Sequence, residues 1–234
     1  MLGATLRSLY AAAGAAGETF EVIVVDDAST DATAEIAREH GATVVAVNLH
    51  RISAVRNAGA RIAMGKVFAF VDADTLVSEA VIRAMLEAIR RGAVGGGARV
   101  QLDAHGTPWW VRALSSFTCW LLYRLGVAGG CFIFGRRDAF DAVGGFDERY
   151  FASEEIHFAL ALRKRGRFIM LPDAVISSGR KLRLFPGWQI PRQMLRLARG
   201  GLGAVRRREG LEFWYDGRRE SADLRQSPPH GRDR

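Results

Sequence analysis

Three acidic clusters have residue types and spacings suited to chemistry on phosphates and hydroxyls. The first is Asp26-Asp27, directly after the apolar run Val22-Ile23-Val24-Val25. An unpaired carboxylate is costly to bury, so these two are expected to point into a cleft beyond the run. They read as polar recognition of a nucleotide's base or ribose, or as an Asx-turn and helix cap ahead of Ser29. The second is Asp72-Ala73-Asp74, after Val67-Phe68-Ala69-Phe70-Val71. Like charges at i and i+2 repel unless a cation lies beside them. A hard divalent ion, Mg²⁺ or Mn²⁺, satisfies such oxygen ligands and keeps positions open for phosphates. The bland reading is a solvated turn. The third is Glu154-Glu155, in the first turn of a predicted helix, where the helix dipole alone would favour acids. As chemistry, the pair offers a general base for an attacking hydroxyl.

The surrounding sequence shows what must position these groups. Short apolar runs at 20–25, 43–47 and 67–71 read as buried strands. Between them, Ser29 to His40 and Ala54 to Ala63 read as helices. Ser78 caps a further helix with Val81, Ile82, Met85, Leu86 and Ile89 at helical spacing. Gly95-Gly96-Gly97 leads into a strand at 98–102. Alternation of this kind predicts an α/β fold with a mostly parallel sheet flanked by helices. In parallel α/β sheets, ligands bind beyond the carboxyl ends of strands, where the first two clusters lie. Further on, Trp109 to Leu125 reads as an aromatic helix, 131–134 as a strand, Glu154 to Arg165 as a helix and 167–171 as a strand. One domain over 1–216 and a polar, disordered tail over 217–234 are expected.

Composition narrows the class. The chain has 234 residues, a net charge of +8 and 49% hydrophobic residues, enough for one packed domain. Its two cysteines, Cys119 and Cys131, make neither a disulfide framework nor a zinc cluster. No signal peptide is read at the start, and Arg112 and Arg124 interrupt the longest apolar stretch, so a spanning helix is not expected. A cytoplasmic setting fits, with a peripheral contact at the inner face of the plasma membrane. No nucleic-acid-binding module is recognisable. A dinucleotide loop is disfavoured, since no Gly-x-Gly-x-x-Gly follows the first strand.

Four stretches in order resemble the inverting family 2 glycosyltransferases of the GT-A fold. They are Val24 to Asp31, Arg56-Asn57-Ala58-Gly59, Phe70 to Asp74, and Gly144-Gly145-Phe146-Asp147-Glu148 leading to Glu154-Glu155. The resemblance implies a metal-dependent hexosyl transfer from a nucleotide-diphosphate sugar to a carbohydrate or lipid-linked acceptor, in cell-envelope glycan or glycolipid synthesis. It implies that Asp26, Asp27, Arg56, Asn57 and Asp72 contact the donor, and that Asp74, with Asp72, holds Mg²⁺ or Mn²⁺. Gly129, Gly130 and Cys131 would line the sugar or acceptor pocket. Glu155, with Glu154 beside it, would be the base; one base suffices here, whereas a glycosidase needs a flanking pair.

The chain departs from the pattern in three places. The family opens with an apolar strand, whereas Met1 to Leu9 resembles the helix after it, so the first strand is expected to be lacking. Glu stands where the family usually has Asp for the base. A Gln-x-x-Arg-Trp motif of processive members is not found, which implies one sugar per event. Two rivals remain at this level: a non-catalytic sugar-nucleotide binder, and a haloacid-dehalogenase-type phosphatase with Asp72 as nucleophile. The aromatic segment 109–122 reads as core packing, as a lid or as a lipid-facing surface. The arginines of 192–208 read as a solvated face or as a dock for anionic headgroups. His105 and His157 receive no role, and Trp214-Tyr215 reads as a packing anchor.

Overall fold

The structure is a computed structural model that describes residues 1–103, 109–124, 126, 128, 130–180 and 206. The expected tail, the anchor Trp214-Tyr215, His105, Gly129 and all of the arginine-rich segment except Arg206 lie outside the described residues. The described elements run α1 (Leu2–Ala16), β1 (Ile23–Asp27), α2 (Thr33–Glu39), β2 (Thr43–Val47), α3 (Ile52–Ile62), β3 (Val67–Val71), β4 (Thr75–Leu76), α4 (Glu79–Arg90), β5 (Gly95–Leu102), α5 (Trp109–Arg124), β6 (Phe132–Arg136), α6 (Arg137–Val143), α7 (Glu154–Arg163) and β7 (Phe168–Ser177).

The strands form two sheets. β1 and β2 pair in parallel, and a second sheet has the order β3-β6-β5-β7-β4. The expectation of a mostly parallel sheet needs correcting: only β5–β7 is parallel in the larger sheet, while β3–β6, β5–β6 and β4–β7 are antiparallel. The reason is topological. After α5 the chain enters between β3 and β5 as β6 and runs against both, and strand periodicity carries no information on direction.

Residue alternation explains how both sheets are covered. On the small sheet Val22, Val24 and Val44 pack against Leu6 of α1 and Ala37 of α2. Val25 faces the other way, where Gly59 of α3 approaches closely enough that a Cβ there would lie 3.0 Å from its methyl carbon. On the large sheet Phe132 and Phe134 join Ala12 of α1 and Val81, Ile82 and Met85 of α4. Ile133, one residue out of phase, joins Ala60 of α3, Phe140 of α6 and Phe158 and Leu162 of α7. Thus α1 and α3 each touch both sheets, on opposite faces, and hold the carboxyl ends of β1 and β3 in one body. The Ser78 hydroxyl accepts the Val81 N–H and starts α4 as its sequence predicts.

Candidate active site

The Asp72-Ala73-Asp74 turn is fixed through its backbone. The Asp72 N–H donates to the Cys131 carbonyl at 3.1 Å, extending the β3–β6 ladder by one step. The Thr75 N–H closes the turn onto the Asp72 carbonyl at 3.0 Å, and the Asp74 backbone carbonyl accepts the Ser178 N–H at 3.2 Å. From the other side, the Thr5 hydroxyl of α1 donates to the Ala73 carbonyl at 3.0 Å. With the backbone held this way, the Asp72 side chain stays 46% exposed.

Helix α3 delivers the group that joins the site together. Ser53, Arg56, Asn57 and Ala60 recur at helical spacing on its inward face. The Arg56 guanidinium, with its side chain only 10% exposed, donates through Nη2 to Asp72 Oδ1 at 3.1 Å and to the Gly130 carbonyl at 2.7 Å. Through Nη1 it donates to Glu154 Oε1 at 2.9 Å, and it lies 5.3 Å over the Phe146 ring. Burial by itself would lower the pKa of Arg56, yet Asp72, Glu154 and Glu155 together hold it above its ordinary value. Three carboxylates therefore surround one guanidinium, which keeps this desolvated cation charged and paired.

Both glutamates sit in the first turn of α7, where Ser153 adopts a left-handed φ of 63° and its carbonyl accepts the Ile156 and His157 N–H groups. Glu154 is 3% exposed. Its burial, reinforced by Glu155, pushes its pKa up to about 7 against the lowering effect of Arg56. Glu155 faces Gly130: a Cβ at that position would lie 3.3 Å from the Glu155 carboxyl carbon and 3.5 Å from Arg56 Nη2. Cys131 is buried beside them, and its thiol is pushed up to about 12, by burial first and then by Asp72. It is an inert wall rather than a nucleophile.

The expected site residues divide into groups. Arg56, Asp72, Gly130, Cys131, Glu154 and Glu155 are brought together. Asp26 and Asp27 end β1, where Asp26 Oδ1 accepts the Ser29 N–H at 3.2 Å in an Asx-type turn and Asp27 Oδ1 accepts the Leu49 N–H at 2.6 Å. Asn57 is committed to the protein. Its Nδ2 donates to the Phe146 carbonyl and to Glu148 Oε1, both at 2.9 Å, and its Oδ1 accepts the Phe146 N–H at 2.9 Å. It staples α3 to the Gly145-Phe146 loop under Arg56. The hub role of Arg56 escapes the sequence reading, although one Arg on a helix face of Ser, Asn and Ala is the signal for it. His157, given no role, stacks on Tyr150 with ring centroids 3.8 Å apart.

Among the described residues no third His, Cys, Asp or Glu joins Asp72 and Asp74 in a metal-ligating group. Two hard carboxylates at a turn, with the remaining positions left to phosphate oxygens and water, nonetheless suit Mg²⁺ or Mn²⁺. Arg56 already pairs with one oxygen of Asp72, so Asp74 would be the principal ligand if such an ion binds.

The sequence model of glycosyl transferase family 2 matches residues 1–144. The chain belongs to that family. As a family 2 member it carries the first three of the four stretches, the β3 motif among them, inside the matched region, which leaves the phosphatase reading without support. No curated protein sequence matches it. Among solved structures it is similar to the mannosyltransferase PcManGT from Pyrobaculum calidifontis in complex with GDP-Man and Mn²⁺, with 22% identity and a TM-score of 0.54, over 74% of this chain and 51% of that one. It is also similar to S. aureus TarS 1–349 in complex with UDP, with 22% identity and a TM-score of 0.55, over 76% of this chain and 56% of that one. The same TarS fragment with UDP-GlcNAc gives 20% identity, a TM-score of 0.54 and coverage of 74% and 54%. These likenesses carry the GT-A fold, and the chain spans about half the length of the structures it matches.

Proposed function

We propose that this family 2 chain transfers a sugar from a nucleotide-diphosphate donor to an acceptor hydroxyl with inversion, one sugar per event. The observation that carries this reading is the convergence of Asp72, Glu154 and Glu155 on Arg56. Asp72 pairs with one nitrogen of this buried cation and Glu154 with another, which supports reading the first as the donor side and the glutamates as the base side.

Asp26 and Asp27 take the nucleoside at the end of β1, using carboxylate oxygens beyond those held by Ser29 and Leu49. Asp74, with Asp72, would hold Mg²⁺ or Mn²⁺, which when bound neutralises charge on the leaving diphosphate. Arg56 fixes Asp72 and adds positive field at the same place. Gly130 leaves room for the Glu155 carboxylate, and with Cys131 it walls the sugar pocket; Gly129 is assigned there as well. Glu155 accepts the proton from the attacking hydroxyl. Glu154, buried and held by Arg56, positions the first turn of α7. The acceptor belongs to cell-envelope glycan or glycolipid synthesis, and the protein works peripherally at the inner face of the plasma membrane. Among the described residues no helix is long and apolar enough to cross a membrane.

The test is nucleoside-diphosphate release from a panel of UDP- and GDP-sugars in Mn²⁺ and in EDTA. Release in Mn²⁺ that is lost in EDTA and in Asp74→Asn is expected. An Asp74→Asn protein that turns over normally in EDTA would overturn the metal assignment.

A further inference from the structure

Helix α5 presents its apolar groups to the outside. Trp109 is 79% exposed, Phe117 58%, Trp120 50% and Leu121 41%. With the small residues Ala113 and Ser116 and with Arg124, all exposed, they fall on one face at helical spacing. The helix also packs on β5. Phe117 and Trp120 stack on each other with centroids 5.8 Å apart, a flat aromatic pair facing outward. Core packing, the bland reading of this segment, does not hold for these four side chains.

The two stretches of sequence that carry this face and its rim hold charge of one sign. No Asp or Glu occurs between Asp103 and Asp138, and none between Glu155 and Asp173. The two acid-free stretches meet, because Arg163 at the end of α7 donates to the Gly126 carbonyl just beyond the end of α5. Arg124, Arg163, Lys164, Arg165 and Arg167 are all exposed, and among the described residues none of them pairs with a carboxylate. Trp and Phe rings beside a cationic rim match the boundary of an anionic bilayer. There the rings enter the interface and the basic groups meet headgroup phosphates. At 16 residues the helix is too short to span, so it lies in the plane.

We propose that the exposed face of α5, with the basic end of α7 as its rim, docks on an anionic phospholipid surface. The docking face deepens the peripheral location proposed above and rests on that reading only for its purpose. From α5 the chain runs through Ala128 to Gly130 and Cys131, so a docked protein holds the pocket beside Glu155 near the lipid.

The experiment is co-sedimentation of the full chain, without donor, with vesicles of phosphatidylcholine alone or mixed with phosphatidylglycerol. The chain is expected to pellet with the mixed vesicles and to remain in solution with phosphatidylcholine alone. The double substitution Phe117→Ser/Trp120→Ser lowers partitioning on the order of tenfold or more, and Lys164→Ala lowers it about fivefold. These residues are exposed, and thermal melts that match the parent establish that the variants fold; Leu121→Ser serves as a second apolar variant. Absence of pelleting with either vesicle, or a double variant that pellets like the parent, overturns the proposal. So does a solution dimer that dissociates in the double variant, since a second copy would then cover the face. Donor turnover in solution is measured in parallel, so loss of docking is distinguished from failure of the transfer reading.

Discussion

Arg56 shows how one buried side chain organises a site. Removing any partner of a buried charged network leaves an uncompensated charge, so Asp72 and Glu154 are held as much by Arg56 as Arg56 is by them. Glu154 carries the clearest consequence. Its folded pKa of about 7 stands above the ordinary 4.5. The folded protein therefore binds an extra proton between those values. That stabilisation is fully present below pH 4.5 and is lost as pH rises through 7. The stability difference between Glu154→Gln, which cannot ionise, and the parent is expected to move in the variant's favour as pH rises from 5 to 8, whatever the fixed cost of the lost Arg56 partner. Thermal melts across that range check it, and a difference that is independent of pH would contradict it.

At the scale of elements, the glycine run of β5 shows why part of the fold escaped the sequence. Gly95-Gly96-Gly97 reads as a lead-in to a strand at 98–102, yet all three are strand residues. A Cβ on Gly96 would lie 2.1 Å from the Ile169 carbonyl oxygen and 2.5 Å from the Phe134 ring. The need for glycine comes from neighbouring strands distant in sequence, which local periodicity cannot register. Gly96→Ala should cost about 3 kcal/mol, read as a lower urea midpoint; an unchanged midpoint would contradict the packing. β7 escaped similarly. The sequence reading stops at Leu171, but the strand continues to Ser177 through an irregularity opposite Ala98 and Arg99, which leaves Pro172 and Asp173 without ladder partners. By contrast β2 and β3 were legible residue for residue, because both are β-branched or aromatic runs bounded by glycine or by polar residues. The carboxylates were legible as residues for a related reason: charge at the end of an apolar strand is conspicuous. Their connection through Arg56 was not, since it spans 98 positions to Glu154.

On the scale of the molecule, two sheets are held in one body by helices that touch both, and the Arg56 cluster forms where the carboxyl end of β3 meets α3 and α7. The account depends on Glu155 acting as base in a pocket whose donor side is built separately. The most direct measurement compares nucleotide-sugar turnover and donor affinity in Mn²⁺ for the parent and Glu155→Gln. Turnover is predicted to fall ~10²-fold or more with donor affinity unchanged. Equal turnover in the two proteins would contradict the assignment.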